Sequence, residues 1–179
     1  NYTTVQKEIN GHIFRFVIEE TRNNSFHACT IEDISEVISH VPSCDYGDLE
    51  LIVLRQPTRK EETLRSAWGR LIYSYEFEEV LQPAIILEAA DLTNRLKWTK
   101  KLGVEDRKEF ERLIEDGHQF KTDKRWHEAP IKLKNVRATQ LYRTLPHEFG
   151  HYVHYLHHVE RPSTEDEDFI EWEKRSETY

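Results

Sequence analysis

The sequence predicts an α+β fold in which a mixed or antiparallel sheet with helices comes first and two helices come last. Three observations support this class. Short β-rich segments are concentrated in the first half of the chain, a helical pattern with a broad apolar face covers residues 135–158, and an acidic helix-forming stretch follows Pro162. At 179 residues the chain suits one domain, with a sheet-rich part over 1–130 and the two helices over 131–179.

The first elements are predicted from alternation and capping. Residues 11–19 and 49–55 are rich in β-branched, aromatic and apolar residues, which is typical of strands. Thr30 precedes a helix from Ile31 to about His40, with Asp33 in the position of a capping box.

The middle of the chain has weaker patterns. The charged stretch Thr58–Ala67 favours a helix, and residues 70–77 predict a strand or hairpin arm. A strand is expected over Ala84–Glu88 and a polar helix over Glu105–Asp116, whereas residues 117–133 are expected to be irregular.

Composition excludes several function classes. The net charge of −8 argues against a general nucleic-acid binder, which needs a basic surface. Neither a membrane-spanning apolar run nor a signal-peptide pattern in residues 1–30 is found, so a cytoplasmic protein without a membrane partner is expected. Cys29 and Cys44 are expected to be two buried free thiols.

The helical pattern over residues 135–158 separates an apolar face from a histidine stripe. The predicted core face consists of Ala138, Leu141, Tyr142, Leu145, Phe149, Tyr152, Val153 and Leu156. The opposite stripe consists of His147, His151, His154 and His158, extended by Gln140 and Arg143. Because the apolar face keeps its phase across Pro146, we expect one helix with a modest kink. A second element crossing the histidine stripe would then form a cleft.

Residues 147–151 on this helix read His-Glu-Phe-Gly-His. The spacing of His147 and His151 puts both imidazoles on one helix face, where they can bind the same metal ion. Glu148 lies beside them, in the position of a general base for a metal-bound water. Two other interpretations stay open: a solvated histidine stripe, and a structural metal site in which protein ligands fill every position.

This H-E-x-x-H cluster, after an N-terminal region of strands, resembles the zincin metallopeptidases. The resemblance implies a zinc ion (Zn2+) held by His147 and His151, with Glu148 as the catalytic base. It also implies an edge strand above the helix that holds an extended peptide or protein substrate. The best sequence candidate for that strand is Ala84–Glu88.

The third zinc ligand separates the zincin subfamilies. The metzincin pattern points to His157, but His154 stands where that pattern has a glycine, so the helix is expected to continue and turn His157 away. The gluzincin pattern takes a glutamate from a following helix, which Ser163 or Thr164 can cap here.

The acidic residues of that last helix give four candidates, Glu167, Glu171, Glu173 and Glu177. Glu177 comes first, because Glu177-Thr178-Tyr179 resembles the start of the Glu-x-aromatic-Ala stretch of small bacterial and phage-type zincins. Glu171 comes second, since it has the spacing of thermolysin-like enzymes but Arg175 replaces their aspartate.

The function expected from these residues is a zinc metallopeptidase in which Glu148 activates a zinc-bound water for attack on a peptide bond. Candidate donors to the oxyanion are His154, Tyr155, His158 and His127, whereas Tyr152 lies on the core face. Two alternatives stay open: a zincin-like domain that has lost activity and serves binding or regulation, and a metal-dependent hydrolase of a non-peptide substrate. An intact Glu148 favours the enzyme.

Overall fold

The structure, a computed structural model, describes residues 1–63 and 68–160. The elements are, in chain order, β1 Tyr2–Ile9, β2 His12–Glu19, β3 Ser25–Phe26, α1 Ile31–Ser39, β4 Leu51–Arg55, α2 Arg59–Thr63, β5 Gly69–Phe77, β6 Val80–Glu88, β7 Ala90–Asp91, β8 Arg95–Thr99, α3 Val104–Glu115, β9 Lys121–Thr122, β10 Trp126–Pro130, α4 Leu133–Thr139, a π-helical turn Gln140–Thr144, and α5 Leu145–Glu160.

The main sheet has five strands in the order β1-β2-β4-β6-β5. The outer pairs β1–β2 and β5–β6 are antiparallel, whereas β4 runs parallel to both β2 and β6. Since α1 lies in the crossover from β2 to β4, the sheet is mixed rather than purely antiparallel. The predicted α+β class with a mixed sheet is therefore confirmed.

Strand β1 was not predicted from the sequence. This strand forms one edge of the sheet and is exposed along most of its length, so it lacks the apolar alternation that identifies strands. Its turn to β2 is Asn10-Gly11, with φ angles of 50° and 78°. Asn-Gly is the pair that favours such left-handed hairpin turns, and it is the sequence signal that identifies this hairpin.

Helix α1 confirms the predicted capping box. The Asp33 N–H donates to the Thr30 hydroxyl, and the Thr30 N–H donates to the Asp33 carboxylate, both at 3.1 Å. The carboxylate of Asp33 also accepts from Nε of Arg137 at 2.9 Å. One acidic side chain therefore caps α1 and ties it to α4.

The predicted edge strand Ala84–Glu88 is an interior strand, so that prediction was wrong. It forms the end of β6, pairs with β4 on one side and β5 on the other, and is buried throughout. A continuous apolar run is typical of a strand covered on both faces. The edge is β5, and Pro83 lies within β6 opposite a β-bulge between Ile72 and Tyr75 of β5.

Residues 117–133, expected to be irregular, contain β9 and β10. With β8 they form a second, three-stranded sheet in the order β8-β10-β9. These strands are short and mostly polar, and Leu96 and Ala129 are their only buried apolar residues, so their pattern is weak. Helix α3 confirms the predicted polar helix, and α2 covers the start of the one predicted over Thr58–Ala67, whose residues 64–67 lie outside the described ranges.

The two faces of the main sheet carry separate apolar clusters. The larger cluster packs α1 and α5 against the sheet through buried residues that include Phe14, Phe16, Ile34, Ile38, Tyr46, Ile52, Ile85, Leu145, Phe149 and Tyr152. The smaller cluster covers the other face with Val17, Leu51, Val53, Phe77, Ala84 and Ile86. The tip of the β5–β6 hairpin curls over this second face, because Tyr2 packs on Phe77 at 5.3 Å between ring centroids and donates to Glu78 at 3.2 Å.

The helix expected over residues 135–158 consists of three parts, α4, the π-helical turn and α5. In the turn, the Leu145 N–H donates to the carbonyl of Gln140, five residues back. Pro146 follows directly and has no N–H to donate, so the disturbance expected at the proline takes the form of a π-bulge before it.

The π-bulge changes which residues face the core. One extra residue in the turn rotates the preceding helix by about 100° relative to an uninterrupted α-helix. Tyr142, expected in the core, is therefore 75% exposed, whereas Gln140, expected on the histidine stripe, is 1% exposed. The assumption that the apolar face keeps its phase across Pro146 was wrong.

The helix predicted after Pro162 lies outside the described residues. Among the helices that are described, none has the length and apolar character needed to cross a membrane.

The two cysteines differ in environment, so the expectation of two buried thiols was wrong for one of them. Both are free thiols, but Cys29 is buried and Cys44 is exposed. Burial and the charge of Asp33 raise the pKa of Cys29 to about 12, and its Sγ lies 3.3 Å from Oε1 of Gln140.

We predict that one thiol of the native protein reacts rapidly with a disulfide reagent at pH 8 and that the second reacts only on unfolding. Counting released thiolate before and after adding denaturant measures this. Cys44→Ser removes the rapid phase and Cys29→Ser the slow one; two rapid phases in the native protein would contradict the assignment of Cys29 to the core.

We predict that Asp33→Asn lowers the free energy of unfolding by about 1–2 kcal/mol at pH 7, because it removes the charge that holds Arg137 and the α1 N-terminus. Hydrogen bonds from Arg137, offset in part by burial, and further hydrogen bonds from Thr30 lower the pKa of Asp33 from 3.8 to about 2. The folded state thus binds fewer protons than the unfolded chain between these values. The stabilisation is present above pH ~4 and is lost as the pH falls towards 2.

Denaturant unfolding of both proteins from pH 7 to pH 2.5 measures this difference, with Glu32→Gln in the same helical turn as the control. A difference between Asp33→Asn and wild type that stays constant over this range would show that the charge of Asp33 is not the cause.

Candidate metal centre

The imidazoles of His147 and His151 converge on α5. Their Nε2 atoms lie 2.8 Å apart, and their ring planes are nearly perpendicular with centroids at 4.4 Å. Both residues are partly buried. Burial and the neighbouring His147 lower the pKa of His151, which favours the neutral imidazole that a metal ion requires.

The pair fits a zinc ion with little movement. Tetrahedral zinc with ligands at about 2.0–2.1 Å places two ligand nitrogens roughly 3.3–3.4 Å apart. The two Nε2 atoms, now at 2.8 Å, would separate by about half an ångström, which small side-chain rotations allow. Two imidazoles are also a donor set that zinc accepts.

The four glutamates predicted as candidates for the third ligand lie outside the described residues: Glu167, Glu171, Glu173 and Glu177. Within residues 1–63 and 68–160, no set of three His, Cys, Asp or Glu side chains is arranged to hold a metal ion. The alternative ligand His157 is exposed, and α5 continues through it to Glu160, as the absence of a glycine at position 154 predicts.

Glu148 follows His147 on α5 and reaches the edge strand β5. Its Oε2 accepts a hydrogen bond from the backbone N–H of Leu71 at 2.7 Å. Burial raises the pKa of Glu148 to about 7, although this hydrogen bond acts in the opposite direction. A carboxyl group with such a pKa can both accept and release a proton near neutral pH.

The edge strand β5 contacts the side of α5 that bears Glu148 and Tyr155. Leu71 belongs to the larger apolar cluster, and two residues later Tyr73 packs on Tyr155 of α5 with ring centroids at 4.5 Å. Tyr73 lies in the β-bulge opposite Pro83, and such bulges redirect side chains near functional sites. Burial and the charge of Glu148 raise the pKa of Tyr73, so its hydroxyl stays protonated.

Close packing fixes the distance between β5 and the helix. A Cβ on Gly69, at the start of β5, would lie 2.5 Å from the carbonyl oxygen of Ile86 and 2.7 Å from Cγ2 of Thr144. Since real Cβ atoms do not approach so closely, a residue without a side chain is needed where β5 meets the π-helical turn. Gln140 lies in the same place and donates to the carbonyls of Trp68 and Glu88, each at 2.9 Å.

The structure separates the predicted oxyanion donors. His127 lies on β10 in the second sheet, where it hydrogen-bonds with Thr122 at 2.7 Å and packs against the ring of Phe110. Tyr152 is buried, as predicted, and its hydroxyl accepts from the Asp48 N–H at 2.8 Å.

Tyr155, His154 and His158 remain on the same helix as the motif. Sequence reasoning missed Tyr73 and the backbone N–H of Leu71, because their place at the site depends on β5 being the edge strand of the sheet, which no local pattern in the sequence indicates.

Comparison of the chain with protein-family models, with curated proteins and with solved structures finds no match in any of the three.

Proposed function

We propose that this protein is a zinc-dependent metallopeptidase of the zincin type, with His147 and His151 as zinc ligands and Glu148 as the catalytic base. The observation that supports this is the position of the Glu148 carboxylate, beside two converging imidazoles and hydrogen-bonded to an edge strand. In this proposal the third ligand is a carboxylate of the gluzincin kind. Glu177 comes first, with Glu171 and Glu173 as the alternatives.

The proposed substrate is an extended peptide that pairs with β5. Leu71 directs its N–H towards Glu148, so the outer edge of β5 faces the side of α5 that carries the motif. No other strand in the described parts of the chain pairs with that edge. A peptide added there would gain main-chain hydrogen bonds from groups of β5 other than the Leu71 N–H, which Glu148 accepts, and would cross the helix at Glu148.

Zinc, when bound to these imidazoles, supplies the Lewis-acid charge that polarises a carbonyl oxygen and makes water more acidic. The chain supplies the proton transfer. An oxygen of Glu148 accepts a proton from the attacking water and then gives it to the leaving amine, while the Leu71 N–H keeps the carboxylate oriented. Tyr73, held against Tyr155, has a protonated hydroxyl that can donate to the developing oxyanion.

We predict that Glu148→Gln keeps one tightly held zinc per chain after desalting but lowers kcat for peptide hydrolysis by about 10²–10⁴-fold, because the amide cannot accept the proton. Metal analysis of the desalted protein and cleavage of a quenched fluorescent peptide library at neutral pH measure the two quantities. Glu36→Gln, an exposed acid on α1, is the matched control and keeps both.

The histidine variants test the ligands independently of the base. His147→Ala with His151→Ala should remove the tight zinc, and Glu177→Gln should weaken zinc binding more than Glu171→Gln or Glu173→Gln does. A wild-type protein that holds zinc but cleaves no peptide would favour the binding domain or the hydrolase of another substrate. A double histidine variant that keeps the tight zinc would overturn the site.

We predict that Tyr73→Phe lowers kcat by about 10²-fold with little change in KM, since it removes a donor to the oxyanion and keeps the ring packed against Tyr155. Steady-state kinetics on a peptide identified by the library measure both constants. Tyr142→Phe, which changes a tyrosine that is 75% exposed, is the control. Equal kcat values for wild type and Tyr73→Phe would show that Tyr73 only packs.

A further inference from the structure

A second pair of histidines converges on α5 beyond the motif. The Nε2 atoms of His154 and His158 lie 2.8 Å apart, and their ring centroids are separated by 4.0 Å. Both residues are partly buried, so their side chains are held against the protein while their surroundings stay open to water. The proposed peptidase chemistry does not use this pair.

The two pairs share their spacing in the chain and the distance between their Nε2 atoms, although the planes of their rings meet at 87° in the first pair and at 48° in the second. Each joins residues four apart on one helix, and each brings its Nε2 atoms to the same separation. Residues at this spacing are neighbours on a helix face, so two imidazoles there can bind one ion without a change in the backbone. The opening that zinc would require is again about half an ångström.

The distance along the helix makes this a separate site. The second pair begins seven residues after the first, which corresponds to about 10 Å of helix. Two-metal catalytic centres hold their ions only about 3.5–4 Å apart, so one pair of ions here could not act on the same substrate atom. An ion at His154 and His158 would therefore bind independently of an ion at His147 and His151.

We propose that His154 and His158 form a second site for a divalent transition-metal ion of the type that imidazole prefers, Zn2+, Cu2+ or Ni2+. Two imidazoles supply the protein ligands, and water completes the coordination. With fewer protein ligands than the three proposed for the first site, this site is the weaker of the two and loses its ion on desalting.

Titration of desalted, zinc-loaded protein without a polyhistidine tag tests this proposal. Isothermal titration with Zn2+ should show one further equivalent, and His154→Ala or His158→Ala should each weaken that binding by roughly ten-fold or more, because each removes one of the two protein ligands. His157→Ala, which removes an exposed histidine from the same helix, is the matched control and should bind as the wild type does. The absence of a further equivalent, or equal binding by His154→Ala and wild type, would overturn the proposal.

A second measurement avoids any effect of the variants on folding. In the wild-type protein, Zn2+ should protect His154 and His158 together from modification by diethyl pyrocarbonate, with His157 unprotected. Modification of all three at equal rates would contradict the site. The variant His147→Ala/His151→Ala distinguishes this proposal from the proposed function. If this variant loses the tight zinc but keeps the weaker equivalent, the second site binds its ion without the first.

Discussion

The packing of α5 on the main sheet is the constraint on which the candidate site depends. Leu145, Phe149 and Tyr152 are at most 1% exposed and lie in the larger apolar cluster. Burial of each such side chain contributes about 1.5–3 kcal/mol, more in sum than one hydrogen bond from Leu71 to Glu148. Packing therefore fixes the rotation of the helix, and the motif residues lie where that rotation puts them.

The π-helical turn allows α5 to keep this packing although Pro146 lies at its second position. A proline at the second position of α5 removes a backbone donor, and the chain responds with a hydrogen bond from Leu145 to Gln140 across one extra residue. The extra residue brings Gln140 into the interior, where it binds the carbonyls of Trp68 and Glu88 beside the start of β5. The same irregularity that interrupts the helix thus helps to hold the edge strand over it.

Local signals in the sequence predicted elements well where one interaction within a few residues decides the structure. The capping box of Thr30 and Asp33, the apolar run of β4 and the H-E-x-x-H spacing on α5 are of this kind. The predictions that were wrong or missing have a different cause. Partners far away in the chain decide the edge strand β1 and the short strands β9 and β10, and a single inserted residue decides the orientation of Tyr142. Neither cause produces an alternating apolar pattern in the sequence.

By itself the sequence determined that His147 and His151 share one helix face with Glu148 next to them in the chain, because a spacing of four residues has that result on any α-helix. It determined equally that His154 and His158 repeat the arrangement. Only the tertiary structure decided which strand reaches Glu148, since the choice between β5 and β6 depends on pairing between distant segments. That choice placed Leu71 and Tyr73 rather than Ala84–Glu88 beside Glu148, because β6 is paired with β4 on one side and β5 on the other and has no free edge to offer.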